Sequence, residues 1–324
     1  MNITVTVPTM GIINPIFQDM ITSLNKQTFN DFKTVLITPR NYLKDTLVEI
    51  LEKTNLDFNI VKQESNGFEN AMNTALKFSG DINLNTDDDA YYFANHVETY
   101  INLFQETKAG MIFGYSNKHR PYINKTTFFF EIQHIVDKRP LLPSLDGYSI
   151  FFNSSGFLSS PVLSLFLPFK KIRLNSCPIG VNMGWIKDAV KNLKLREFSR
   201  KGTLNENYIA LNAIRNDFSV FETNLINVNH NASANSLSRG KKNEDILIKI
   251  TELLFSPLVI QTYMDIDIND FYRTYIKLRK MAALIPSHVS KHFSNTLDVV
   301  SEGIQEHWDE FKIKEKYIEI IKNQ

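Results

Sequence analysis

Cysteine is almost missing from this chain of 324 residues, with Cys177 its single representative. An intramolecular disulfide and a multi-cysteine zinc site are thereby excluded, and a reducing, cytoplasmic setting is the expectation. Glycine (12) and proline (11) are sparse, which argues against a long disordered linker. The opening residues, MNITVTVPTMG, lack the basic and apolar regions of a secretory leader. No apolar run approaches the ~20 residues that a membrane span needs. Net charge is nearly absent at +1, so no global field recruits nucleic acid or membrane, and such a partner would have to be met by a local patch. No internal repeat is found. What is present is 43% hydrophobic residues, enough for one large core or a core domain with a smaller appendage.

The N-terminal third alternates two periodicities. Ile3–Pro8 is rich in β-branched residues and ends at a proline, as a strand does. Asn14-Pro15 places an N-cap before a first-turn proline, and Ile16, Phe17, Met20, Ile21 and Leu24 follow as one apolar stripe, predicting a helix to about Gln27. Thr34–Thr38 reads as a strand and Leu43–Lys53 as a helix. Phe58–Val61 is the third strand, and Gly67 opens a helical run containing Phe68, Ala71, Met72, Ala75 and Leu76. With Ile82–Thr86 the series predicts a mostly parallel sheet with helical crossovers.

That last strand runs into Asp87, Asp88 and Asp89. Adjacent carboxylates repel, so the run belongs in solvent or against a cation. Read alone it is a solvated turn. Its position at a strand's carboxyl end, where open α/β sheets bind ligands, favours a site.

Four ordered segments then carry a resemblance: ITVTVPT; Gln27-Thr28 with Phe32 before the second strand; Gly67, Ala71 and Asn73 before the fourth; and TDDDA. Together they resemble the nucleotide-binding half of family 2 glycosyltransferases of the GT-A fold. The resemblance implies an α/β, Rossmann-like, mostly parallel sheet flanked by helices, with a C-terminal helical extension. It implies a nucleotide diphosphate-sugar donor and Mn²⁺ or Mg²⁺. Asp89 would ligate the cation, Asp87 would contact the ribose or metal-bound water, and Pro8, Thr9, Gly11, Asn66, Gly67, Asn73 and Asp88 would line the nucleotide. Gly11 reads equally as part of a plain strand-to-helix turn. Two departures stand out: Pro39-Arg40 follows the second strand where the family has an acidic base-reading residue, and Asn83 and Asn85 interrupt a strand that is apolar in the family.

The segment Glu206–His230 resembles the other half of that site, with a helix at Tyr208–Ile214, strands at Phe218–Phe221 and Leu225–Val228, and His230 in the place of the C-terminal metal ligand. Imidazole suits Mn²⁺; a structural histidine is the alternative. Asn207 replaces the family's aspartate, so Glu206 becomes the candidate base, with Asp188 and Asp146 behind it. Glu206 reads equally as a helix N-terminal acid favoured by the dipole. Upstream, Gly180–Trp185 is expected as a glycine-containing loop before a helix over Ile186–Leu195. Trp185 either stacks on a sugar or base or fills the core.

Ala94–Thr107 and Thr126–Lys138 read as helices and Gly110–Tyr115 as a strand, while Leu141–Ser164 follows no periodic pattern. Lys170–Lys201 concentrates basic residues, as a solvated face or as a patch for an anionic acceptor, phospholipid or nucleic acid. After His230, a small polar stretch leading to Arg239, Lys241 and Lys242 reads as a lid over the diphosphate or as a linker. Ile246–Phe255, Ile268–Leu284 and Ile304–Ile321 have helical spacing.

The organisation expected is a GT-A domain over 1–240, its nucleotide-sugar half 1–115 and its acceptor half 116–240, followed by a helical region 241–324. The activity expected is metal-dependent, inverting sugar transfer to a glycan, lipid-linked or other hydroxyl acceptor. A nucleotidyltransferase, a glycosyltransferase acting on hydroxylated bases in DNA, and a non-catalytic sugar-nucleotide binder are the alternatives.

Overall fold

The computed structural model describes residues 1–42, 45–116, 139–159, 171–178, 180–230, 243–284 and 287–322. Two compact units interleave along the chain. The first comprises Met1–Arg120, Pro168–Leu195 and Glu206–Ser236, and the second Pro121–Leu167, Arg196–Asn205 and Leu237–Gln324.

The first unit opens with β1 (Ile3–Pro8), α1 (Pro15–Asn25), β2 (Lys33–Thr38), α2 (Asp45–Leu51), β3 (Asp57–Lys62), α3 (Phe68–Lys77) and β4 (Ile82–Thr86). The Asn14 side chain accepts the Phe17 N–H at 2.9 Å, a cap of about 1 kcal/mol. After β4 come β5 (Ala90–Tyr92), α4 (His96–Thr107) and β6 (Met111–Ser116). One sheet has the order β3-β2-β1-β4-β10-β6-β11-β5, in which β10 is Asn182–Ile186 and β11 is Val220–His230. The first four strands are parallel neighbours, as are β6 and β11, while β10 runs antiparallel between β4 and β6.

Strand alternation sends side chains to two cores. Leu36, with Val5, Val7 and Leu84, packs with Phe17, Met20, Leu24, Tyr100 and Phe104 of α1 and α4. Val35 and Ile37 turn the other way, onto Ala71 and Ala75 of α3. Asn83 and Asn85 are buried, and Thr6 links them: Asn83 Nδ2 donates to Thr6 Oγ1 at 3.1 Å, and that hydroxyl donates to Asn85 Oδ1 at 3.3 Å.

Two expectations in this unit need correction. Gly180–Trp185 leads not into a helix but into β10, followed by a 3₁₀ turn at Lys187–Val190. An inserted strand must bury alternate side chains on both faces of the sheet, and Met183 and Trp185 supply one of them. Phe218–Phe221 and Leu225–Val228 lie in one strand, β11, whose register against β6 shifts between Glu222 and Asn227. The helix expected at Thr126–Lys138 lies outside the described residues. Also in this unit are β9 (Ile172–Leu174), paired to β11, and α5 (Asn205–Arg215).

The second unit has a 3₁₀ turn at Pro143–Leu145, the hairpin β7 (Phe151–Phe152) with β8 (Leu158–Ser159), and five helices among its described residues. These are α6 (Asn243–Leu254), α7 (Ser256–Gln261), α8 (Ile268–Ala282), α9 (Ser287–Glu306) and α10 (Glu310–Lys322). The single helix expected over Ile304–Ile321 is broken by His307 at φ 53°, where the chain turns so that Trp308 packs back on Gly303. Glu252 of α6 accepts the backbone N–H groups of Arg200, Lys201 and Thr203 at 2.7 to 2.9 Å. No helix among the described residues is long and apolar enough to cross a membrane.

Candidate active site

Sheet direction assembles the site. β1, β2, β3 and β4 are parallel, so Thr9, Arg40, Asn66 and the three aspartates follow strands that end at one edge. β10 is antiparallel, with Asn182 opposite Thr86, so Gly180 and Val181 enter at that edge as well. β11 follows β6, and His230 pairs with Ala90 of β5, beside Asp89.

Asp87 and Asp89 occupy the turn from β4 into β5, and His230 Nε2 lies 2.9 Å from Asp89 Oδ1 and 3.9 Å from Asp87 Oδ2. One ligand atom from each of the three residues lies within 4.8 Å of the others. Burial raises the Asp87 carboxyl pKa, Asp89 and Asp88 add to the rise, and His230 opposes it. Two carboxylates and one imidazole around a small space fit a divalent cation of the Mn²⁺ or Mg²⁺ kind. His230 is buried at the strand end, as a ligand position demands.

The loop after β1 is tied to this turn. Thr9 Oγ1 donates to Asp88 Oδ2 at 2.5 Å and accepts the Gly11 N–H at 2.9 Å. Gly11 has φ +70°, and a Cβ there would lie 2.1 Å from the Tyr42 ring, so glycine is required on both counts. Pro8 ends β1. Asn66 Oδ1 accepts the Arg40 N–H at 3.2 Å, so the loops after β2 and β3 are joined where an acidic base reader is missing.

Glu206 lies in the first turn of α5. Burial pushes its carboxyl up to about 7, with smaller contributions from Asp87 and Glu69. Gly180 packs against it, and a Cβ at Gly180 would come within 2.4 Å of Glu206 Oε1. Asn207 is occupied elsewhere, donating to the Ser176 carbonyl at 3.0 Å.

Asp188, Trp185 and Asn73 are placed or engaged away from this edge. Asp188 follows Ile186, which pairs with Ile82 at the start of β4; it is exposed at the opposite edge of the sheet from Asp87. Five paired residues at ~3.3 Å each separate the two edges. Trp185 is the core tryptophan, 0% exposed, its indole N–H donating to Ser79 Oγ at 3.1 Å. Asn73 is buried and holds the main chain of Leu195 through two hydrogen bonds of 2.7 and 3.0 Å, which leaves its amide engaged away from a nucleotide. Asp146 is exposed in the second unit. Arg239, Lys241 and Lys242 lie outside the described residues, as does Lys170.

Four residues of the basic segment are paired with acids. Arg173 pairs with Glu222, Arg200 with Glu244 and Lys201 with Asp245, while Arg196 pairs with Glu310 and covers the Tyr263 ring. Lys187 is exposed beside Asp188, at the edge away from the aspartates, and Lys191 is exposed just past that 3₁₀ turn. Lys171 is exposed as well.

Sequence reasoning missed the residues that hold the turn. Tyr92 accepts the Asp87 N–H at 2.8 Å through its hydroxyl. Gln27 clamps the segment after β5, its amide N–H donating to the Phe93 carbonyl and its oxygen accepting the Val97 N–H, while the Thr28 N–H donates to the Ala94 carbonyl at 2.7 Å. The Gln-Thr pair was visible as a motif, but its work was not. Gly180 was visible as the start of a glycine-containing loop, but its contact with Glu206 was not.

The sequence model of Glycosyl transferase family 2 matches residues 4–159. Among curated proteins no sequence matches. Among solved structures, a mannosyltransferase, PcManGT from Pyrobaculum calidifontis, in complex with GDP-Man and Mn²⁺, superposes with a TM-score of 0.52 at 11% identity, covering 99% of this chain and 85% of that one. TarS 1-349 from S. aureus aligns over 95% of this chain and 92% of its own at 14% identity, with a TM-score of 0.48. The nucleotidyltransferase alternative falls with the family match. With a GT-A sheet delivering three aspartates and a histidine to one edge, and with residues 4–159 matching Glycosyl transferase family 2, the chain is a glycosyltransferase.

Proposed function

We propose that this enzyme transfers a sugar, with inversion, from a nucleoside diphosphate-sugar to an acceptor hydroxyl, with a divalent cation, Mn²⁺ or Mg²⁺, held by Asp87, Asp89 and His230. The observation that carries the reading is the convergence of those three side chains within 4.8 Å at the sheet edge that also receives Glu206 and Gly180. The cation, when bound, neutralises charge on the departing diphosphate. The mannosyltransferase of similar fold, solved with GDP-Man and Mn²⁺, supports a donor and cation of this class.

The remaining chemistry belongs to the chain. Thr9, Gly11 and Asn66 border the nucleotide, and the Asp87 carboxylate faces the ribose side of the turn. Glu206 accepts the acceptor hydroxyl proton on its carboxylate as the hydroxyl oxygen bonds to the anomeric carbon and the bond from that carbon to the diphosphate oxygen breaks. A carboxyl lifted to about 7 by burial is basic enough for that task near neutrality. The single cysteine, Cys177, supports a reducing, cytoplasmic setting.

The test is a panel of nucleotide-sugars incubated with the protein and Mn²⁺, read as slow donor hydrolysis. Turnover of one donor, lost on chelation and restored by Mn²⁺, is expected. Binding without turnover against every acceptor offered would move the chain to the non-catalytic class.

A further inference from the structure

Asp87 and Asp89 turn toward His230, and the residue between them turns elsewhere. Asp88 is not among the clustered ligand atoms. Its Oδ2 is taken by the Thr9 hydroxyl at 2.5 Å, and the Met10 N–H also bonds to its carboxylate. The same Thr9 hydroxyl accepts the Gly11 N–H at 2.9 Å, and the Thr9 N–H donates to the Ile37 carbonyl at 2.9 Å. A hydroxyl has one proton, and here it goes to Asp88. Its lone pair is then free to hold Gly11 in the left-handed conformation against Tyr42. Thr9 is buried, so water does not compete for these bonds.

We infer that Asp88 is a positioning residue that latches the loop Thr9–Gly11 onto the Asp87–Asp89 turn, and that it is neither a cation ligand nor a donor contact. Its consequence for nucleotide binding rests on the function proposed above. A carboxylate suits the role because it accepts from a hydroxyl and a backbone N–H at once, and its charge strengthens both bonds. The latch fixes the nucleotide loop against the cation turn, so that its loss frees the loop and weakens nucleotide binding while the Asp87, Asp89 and His230 side chains keep their own positions.

Two measurements on the full-length protein test this. The first needs no ligand: amide hydrogen exchange at Met10 and Gly11 in Asp88→Ala and Thr9→Val should be faster than in the parent by at least about tenfold, with Thr9→Ser restoring protection. Unchanged exchange overturns the latch. The second is calorimetric titration with Mn²⁺ alone and with UDP or GDP in Mn²⁺. Asp88→Ala should keep its Mn²⁺ affinity within about threefold of the parent while the nucleotide binds about tenfold more weakly, and the Asp88→Ala/Thr9→Val double variant should be no worse than either single one. Loss of Mn²⁺ affinity matching that of Asp89→Ala, or additive losses in the double variant, would make Asp88 a ligand and overturn the inference. Failure of UDP and GDP to bind the parent would count against the donor reading alone, and the exchange result would still decide the latch.

Discussion

Two acidic centres in this molecule are built on opposite rules. In the second unit Asp270 is completely buried and meets two guanidinium groups, those of Arg139 and Arg273, with the Ser154 hydroxyl donating to it at 2.5 Å. In the first unit the charges acting on Asp87 are those of His230, Asp89 and Asp88, so acid faces acid and an imidazole. A buried carboxylate supplied with cations by its own fold is an element of structure. A cluster of carboxylates left in mutual repulsion is in want of a cation from outside. Glu252 and Glu206 repeat the contrast in milder form: Glu252 is satisfied by three backbone N–H groups, whereas burial drives Glu206 toward its neutral form.

The contrast is broken most severely by removing a carboxylate of the proposed cation site. Asp89→Ala should lower donor turnover by at least ~10³-fold with the thermal midpoint little changed, because relief of one repelling charge offsets loss of the 2.9 Å contact with His230. A steady-state assay beside a melting curve reads both. Next comes Glu206→Gln, for which kcat should fall ~10²- to 10³-fold. In the parent enzyme the rate should rise with pH through about 7 as Glu206 loses its proton. Stability runs the other way. The folded state holds the Glu206 proton above the ordinary carboxylate range, so stability falls as pH rises from about 4.5 to about 7. Glu206→Gln should therefore be the more stable protein above pH 7, by as much as ~3 kcal/mol.

Asp270→Ala should do the reverse of Asp89→Ala, costing about 2 to 3 kcal/mol of stability while kcat of the folded protein holds. The loss sits at the low end for a buried pair because more than half of each guanidinium side chain stays in water. Denaturant unfolding alongside the turnover assay separates the two effects. Smallest of all, Lys187→Ala with Lys191→Ala should change donor turnover by less than about twofold and should not alter retention on duplex DNA at low salt.

The parallel half of the sheet was legible because its strands and helices carry unmixed periods and because Asn14-Pro15 and Gly67 mark helix starts. β10 was not. Asn182–Ile186 is a strand inserted between β4 and β6, and the pairing that makes it one lies about a hundred residues upstream in β4. The turn at His307 hid for a similar reason, since its apolar spacing continues across a break that only the packing of Trp308 requires. At the site, residue type announced the aspartates and suggested His230, and β-pairing of His230 with Ala90 brings them together. Asp188 misled because sequence distance says nothing about which end of an antiparallel strand faces the ligand, whereas Trp185 took the second of its two readings and fills the core.

The central claim is that Asp87, Asp89 and His230 hold one divalent cation. Its most direct test is a Mn²⁺ titration followed by electron paramagnetic resonance, with spin-echo detection of nitrogen coupled to the bound ion. One Mn²⁺ per chain in the presence of a nucleoside diphosphate, with an imidazole nitrogen signal that vanishes in His230→Gln and binding lost in Asp89→Ala, is the predicted result. An unchanged spectrum in both variants, or no bound Mn²⁺ in the parent, would contradict the account.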